Sequence, residues 1–332
     1  MSSGQRPIPV FLDVDVEHDA RRPDPTAPGP FNGYEAAHRY LSELRPVLQE
    51  CTGSPVRYCW CVRMDPQMAQ VYGSITWIAE RYGRLLEEST RAGDEIGLHP
   101  HWHRWDVDRR GWLLDLTDQS WIEDCLLSAL DAFATAFGRP CRTVHLGSWV
   151  NDRLLRLADD RGVRFDLSLR PGQRRLSTFE AGGDSRGALP SYVGIPRHPY
   201  RPARADFRRT HSKDHLQLMT IPLTAGPLSV EWNLRGVARR AKYVLTGGLR
   251  DWRPLATLYL TESRDRPNSF AELFHRAVDA GTTHLAFVNN SSFGVDRLGN
   301  FQQALRVLME HPAHARFVFT TPPAAFAAAE PV

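Results

Sequence analysis

Residues Pro9–Val14 read PVFLDV, and Asp15 follows at once, so an apolar, β-rich run ends in Asp13-Val14-Asp15. The run has the length and composition of a core strand. Side chains at i and i+2 of a strand project to one face, which sets the two carboxylates side by side. Two close carboxylates repel when both are ionised. They become useful when a cation holds one while the other acts as a base. The plainer alternative is a solvated strand end. Glu17 and Asp19 continue the acidic run and are weaker candidates, read as loop or supporting groups.

Outward from this strand the pattern alternates. A Pro/Gly-rich loop, RRPDPTAPGP from Arg21 to Pro30, lies where an active-site loop belongs. Helices are expected at Tyr34–Leu48, Ile75–Ala92, Ser120–Phe137 and Asp152–Asp160. Between them fall strands at Val56–Val62, Glu95–Leu98, Arg142–Leu146 and Val163–Leu169. After an irregular stretch rich in Gly, Pro, Ser and Arg, at 170–227, come helices at Ala271–Ala280 and Phe301–His311. Strands are expected at His284–Val288 and Arg316–Thr320. Such alternation predicts βα units with parallel strands. Six or seven strand signals spread over one chain favour an α/β barrel-like fold over an open dinucleotide sheet, and the absence of GxGxxG and GxxxxGK[ST] motifs gives a nucleotide site little support. The whole chain, 1–332, is expected to form one catalytic domain, with 170–227 as a loop-rich insertion.

Composition narrows the partners. Basic and acidic side chains nearly balance, 41 against 38, which gives no argument for nucleic acid. Arginine pairs such as Arg109-Arg110, Arg208-Arg209 and Arg239-Arg240 read as solvated faces, with an anionic substrate kept open for the last. No window is apolar for long enough to insert in a membrane, and MSSGQRPIPV is not a secretory leader. Five cysteines, odd in number and without CxxC spacing, point to a reducing cytoplasmic location. Oligomeric state is not derivable from the pattern.

The second chemical feature is GDEIGLHPHWHRW, Gly93–Trp105, with His99, His101 and His103 at alternate positions. Imidazole ligates zinc and related divalent ions. If the segment turns helical after Leu98, His99 and His103 share a face; if it stays extended, all three do.

Together these motifs resemble the NodB-type polysaccharide deacetylase family, whose members are amide hydrolases on distorted (β/α) barrels. The resemblance implies that fold here, with about seven core strands. FLDVD, Phe11–Asp15, is similar to the family's acidic motif, in the D-x-D form of its allantoinase-like branches. By that resemblance Asp13 is the catalytic base and Asp15 a metal ligand. The H-x-x-x-H motif falls on His99 and His103 as the other metal ligands, with His101 an added ligand or substrate contact. The stretch Val144–Leu169 is similar to the third motif region, with His145 where the family has an arginine that orients the base. In the last motif Asn289 or Asn290 stands where the family has a general-acid histidine. His101, His145 and His198 are the candidates for that proton, His101 first. Trp102, Trp105, Trp149 and Trp232 are candidate cleft aromatics, and Glu231 is a candidate supporting group.

The resemblance implies one divalent ion, zinc first, with cobalt, nickel, iron or manganese as alternatives. It implies hydrolysis of an N-acetyl group on an amino sugar, a sugar-containing metabolite or a glycan precursor. The alternatives are cleavage of another non-peptide amide C–N bond, and a catalytically impaired carbohydrate-binding protein.

Overall fold

In the computed structural model the described residues are 6–20, 22–147, 149–173, 175, 185–210, 213–227, 255–257, 269–292 and 298–327. The spine is β1 (Ile8–Val16), buried along nearly its whole length. Val10, Leu12, Val14 and Val16 enter a large core, while Phe11 enters a second cluster. Burial on both faces explains why its sequence is a continuous apolar run until the acids begin.

Strands β2 (Cys59–Val62) and β3 (Glu95–Leu98) follow, then a hairpin of β4 (His103–Asp106) and β5 (Gly111–Asp115). Next come β6 (Thr143–Val144), β7 (Phe165–Asp166), β8 (Ser185–Arg186), β9 (Met219–Thr220), β10 (Ala225–Pro227) and β11 (Leu255–Thr257). The last two are β12 (Leu285–Asn290) and β13 (Phe317–Phe319). Seven of these strands form a parallel sheet in the order β12-β1-β2-β3-β6-β7-β9, and β13 joins the Ile8–Val10 end of β1. The sheet curls into a half-barrel, as expected. Beyond β9 the chain reaches the opposite edge: the Thr224 N–H donates to the Ala286 carbonyl at 2.9 Å, and the Ala286 N–H donates to Thr224 Oγ1 at 2.8 Å.

The second cluster unites residues from five segments, Phe11, Cys59, Phe165, Leu167, Ile221, Leu223, Ala286 and Val288. Phe326 stacks on Phe11 and Phe165, with ring centroids 6.0 and 6.1 Å apart. Apolar filling leaves polar chemistry to the C-terminal ends of the strands, where parallel α/β folds carry their sites. Gly97 permits the curl to tighten there. A Cβ on it would lie 2.8 Å from the Thr143 carbonyl oxygen and 2.9 Å from Cys61 Sγ.

Helices α1 (Asn32–Thr52), α2 (Pro66–Tyr72), α3 (Trp77–Arg91), α4 (Gln119–Phe137) and α5 (Asp152–Asp160) fill the connections. The later ones are α6 (Ser269–Asp279), α7 (Leu298–Glu310) and α8 (Pro322–Phe326). The β4–β5 hairpin was not foreseen, and β8, β9 and β10 fall in the stretch read as irregular. α2 was not foreseen, although Asp65-Pro66 is a helix-start signature: the Asp65 carboxylate accepts the Gln67 and Met68 N–H groups, and Pro66 occupies the first turn. The segment after Leu98, for which helical and extended geometries were both open, is not helical, and His103 begins β4, paired with Leu114. Among the described residues no helix is long and apolar enough to cross a membrane.

Candidate metal centre

β1 delivers three acids in alternation. Asp13, Asp15 and, just past the strand, Glu17 are each at most 3% exposed. Asp15 and Glu17 line a cavity of about 70 Å³, and Asp13 lies one pleat deeper, outside the lining. That volume holds about two waters or a small acyl group. His99, His101, His103, His145, Trp102, Trp149 and Asn290 also contribute to the wall. Of the two asparagines, Asn290 pairs with Asp15 across the β1–β12 register and faces the cavity, whereas Asn289 pairs with Val14 and does not line it. His198 is exposed and away from the wall. Trp105 packs edge-on against Trp112. Trp232 and Glu231 lie outside the described residues.

Among the described residues two overlapping groups have the spacing to hold a metal ion, Asp15/His99/His145 and Glu17/His99/His101. His103 belongs to neither; its ring centroid is 5.4 Å from that of His101. Proton accounting separates the two groups. His99 Nδ1 is 2.7 Å from the His145 carbonyl oxygen, which can only accept, so Nδ1 carries the hydrogen. The remaining nitrogen, Nε2, is then a lone-pair donor to a metal. It faces Glu17 Oε1 at 2.8 Å and His101 Nε2 at 2.9 Å, and His101 Nε2 is also 2.9 Å from Glu17 Oε1. Three electron-rich atoms thus form a buried triangle. Short of a doubly protonated, buried imidazolium, protons cannot satisfy all three edges, whereas one cation can. Three donors this close can all reach an ion at about 2.0–2.2 Å if it caps one face, leaving its far side open. The residues therefore fit a divalent ion.

Electrostatics point the same way. Burial raises the Glu17 carboxyl, but the His101 and His99 rings outweigh it and hold Glu17 well below the usual carboxylate range. Burial, with the Arg63 charge, holds His101 well below the usual imidazole range despite Glu17. The two directions compete, since a neutral His101 lends Glu17 less charge. We take the neutral ring beside an ionised carboxylate, because Arg63 opposes a second buried cation there.

The other group is explained by hydrogen. His145 Nδ1 lies 2.6 Å from Asp15 Oδ1 and 3.0 Å from Asp13 Oδ2. Burial alone would lower His145, but the Asp15 and Asp13 carboxylates outweigh it and push it up to about 10. Burial raises the Asp15 carboxyl as well, against the pull of His145 and His99. We place the pair's shared proton on the imidazole. The ring then carries a positive charge beside the two acids.

Each corner of the triangle is held from a different element. Ser291, after β12, donates its hydroxyl to the Asp15 carbonyl at 2.8 Å and accepts the Glu17 N–H at 2.9 Å. The His145 carbonyl, after β6, orients His99. Asp65, ahead of α2, accepts the His101 N–H at 3.0 Å.

With this geometry in view, a solved structure of a probable polysaccharide deacetylase from Pseudomonas aeruginosa PAO1 matches 96% of this chain and 89% of its own, with a TM-score of 0.50 and 12% identity. The chain has the fold of the NodB-type polysaccharide deacetylases. Puue allantoinase matches 100% of this chain and 94% of its own, with a TM-score of 0.49 and 13% identity. At such identities the deacetylase likeness is one of fold. No protein-family model and no curated protein sequence matches the chain. Asp15, His99 and His101, all named from the sequence, line one cavity of the half-barrel, and Glu17, read there as a weaker supporting group, lines it beside them. Glu17 was underrated because its place after the apolar run read as loop. The period-2 spacing of Asp13, Asp15 and Glu17 was the available signal.

Proposed function

We propose that this protein is a metal-dependent amide hydrolase that removes an acetyl group from an acetamido substrate, an N-acetylated amino sugar or sugar-containing metabolite first. The observation that carries the proposal is the Glu17/His99/His101 triangle beside the Asp15–His145 pair, on the wall of a cavity sized for an acyl group.

Glu17, His99 and His101 would hold the ion; two imidazoles and a carboxylate suit zinc, with cobalt, nickel, iron or manganese as alternatives. When bound, the ion would polarise the amide carbonyl and ease ionisation of a water. Asp15 lines the cavity and is the carboxylate placed to accept a proton from that water at Oδ2, since Oδ1 is engaged by His145. His145 restrains Asp15 and, from 3.0 Å, Asp13, which supports the pair from below. Asn290 offers an amide to the substrate from the opposite wall but has no titratable proton. The leaving amine would take its proton from Asp15 once that carboxyl is protonated. Trp149 and Trp102 shape an acyl-sized wall.

The test is acetate release from N-acetylated monosaccharides and from non-sugar acetamides, before and after chelation and after zinc is restored. Zinc-dependent release from the sugars supports the proposal. Release only from non-sugar amides would move the substrate class. Sugar binding without release, which the amide at Asn290 would fit, would replace the enzyme by a binding protein.

A further inference from the structure

We propose that Arg63, acting through Asp65, is a positioning residue that fixes His101 in the ligand triangle; the inference rests on the ligand set just proposed. Arg63 is fully buried, at 0% exposure. Its Nε donates to Asp65 Oδ2 at 2.6 Å, and its Nη2 donates to Asp65 Oδ1 at 3.0 Å and to Gln67 Oε1 at 2.7 Å. Asp65 Oδ2 in turn accepts the His101 N–H at 3.0 Å. Oδ1 accepts the N–H groups of Gln67 and Met68, at 3.0 and 3.3 Å, and so caps α2. One carboxylate thereby ties the guanidinium, the start of a helix and the backbone of a ligand residue together.

The ligand segment needs this tie. The His99 N–H is used by the Val62 carbonyl at 2.8 Å, at the end of the sheet ladder. Pro100 has no N–H to offer. The next donor is His101, and regular strand pairing does not resume until His103. The bond to Asp65 thus spans the gap between β3 and β4 at the residue whose ring must meet Glu17 and His99.

A helix cap alone does not require a buried arginine, because serine caps as well as aspartate. Burying a guanidinium is costly unless it is well paired, and among the described residues Arg63 Nη1 meets no hydrogen-bond partner. The fork instead fixes both oxygens of Asp65 in one plane, which an ammonium could not do. Ligand geometry must be held to within about 0.5 Å for a site to keep its affinity, and this clamp supplies that restraint for His101.

The experiment is Asp65→Ser in the full chain. Serine keeps the α2 cap, but its one oxygen cannot also hold the His101 N–H. Zinc affinity is read by competition with a chromophoric chelator, the visible spectrum is read on the cobalt(II) form, and folding by the thermal midpoint. The expected result is a loss of about 10- to 100-fold in zinc affinity, the range for residues that orient ligands, with altered cobalt bands. The loss should vanish in a His101→Ala background, where there is no ring left to place. Arg63→Lys should weaken binding in the same direction, since charge without the fork does not restore the clamp. Should Asp65→Ser not fold, Asp65→Asn preserves the volume and is held to the same criteria. Zinc affinity and cobalt spectrum matching wild type, or an equal loss in the His101→Ala background, would overturn the inference alone. A wild-type chain that takes no zinc would overturn the ligand set itself, and this inference with it.

Discussion

Replacing His101 and His103 one at a time separates a ligand set set by geometry from one set by motif spacing. His101 Nε2 stands 2.9 Å from both Glu17 Oε1 and His99 Nε2, while His103 lies outside both candidate groups. A four-ligand structural zinc site is worth about 10–16 kcal/mol, or roughly 2.5–4 kcal/mol for each ligand. His101→Ala should therefore weaken zinc binding by roughly 10²- to 10³-fold. His103 is 3% exposed and paired within the β4–β5 hairpin, so His103→Ala should cost folding stability, roughly 1–3 kcal/mol, with zinc affinity changed by no more than a few-fold. Chelator competition gives the affinities, and urea unfolding after metal removal gives the stabilities. A large loss of affinity in His103→Ala, with His101→Ala unaffected, would refute the argument from proton accounting.

Two further outcomes follow from the same contacts. In the metal-free protein the His145 imidazole is held up to about 10 by Asp15 and Asp13, against about 6.5 when unfolded. Its stabilising contribution is fully present below pH 6.5, declines from there, and is gone above about pH 10; urea unfolding across that window should show the decline in wild type and not in His145→Phe, and parallel curves would contradict it. Gly97→Ala places a Cβ 2.8 Å from the Thr143 carbonyl oxygen and 2.9 Å from Cys61 Sγ. Since the first of these is backbone in the neighbouring strand β6, the change should destabilise by about 1–3 kcal/mol, and an unchanged thermal midpoint would show that the sheet can spread without cost.

Much of the frame was legible because local signals agreed with the global fold. PVFLDV, the strand at Glu95–Leu98 and the helix at Asp152–Asp160 each combined the right period with clear ends, and the last two fall where they were expected. β6 and β7 are shorter than the apolar runs that contain them, because only Thr143–Val144 and Phe165–Asp166 complete ladder pairing before the chain leaves the sheet. The site was harder. His99, His101 and His103 alternate perfectly in sequence, but Pro100 interrupts the ladder and β4 turns back with β5, so equal spacing does not become equal position. Glu17 continues the face of Asp13 and Asp15, but its backbone N–H is held by Ser291, 274 residues away. Arg63 and Asp65 gave no sign beyond the Asp-Pro helix start, since their meaning lies in a bond to His101 that only the fold creates.

The most direct measurement is elemental analysis of bound metal in wild type and in His99→Ala, the residue shared by both candidate groups. The account predicts about one divalent ion per wild-type chain, lost in His99→Ala. An absence of metal in wild type even after reconstitution, or an equal metal content in the two proteins, would contradict it.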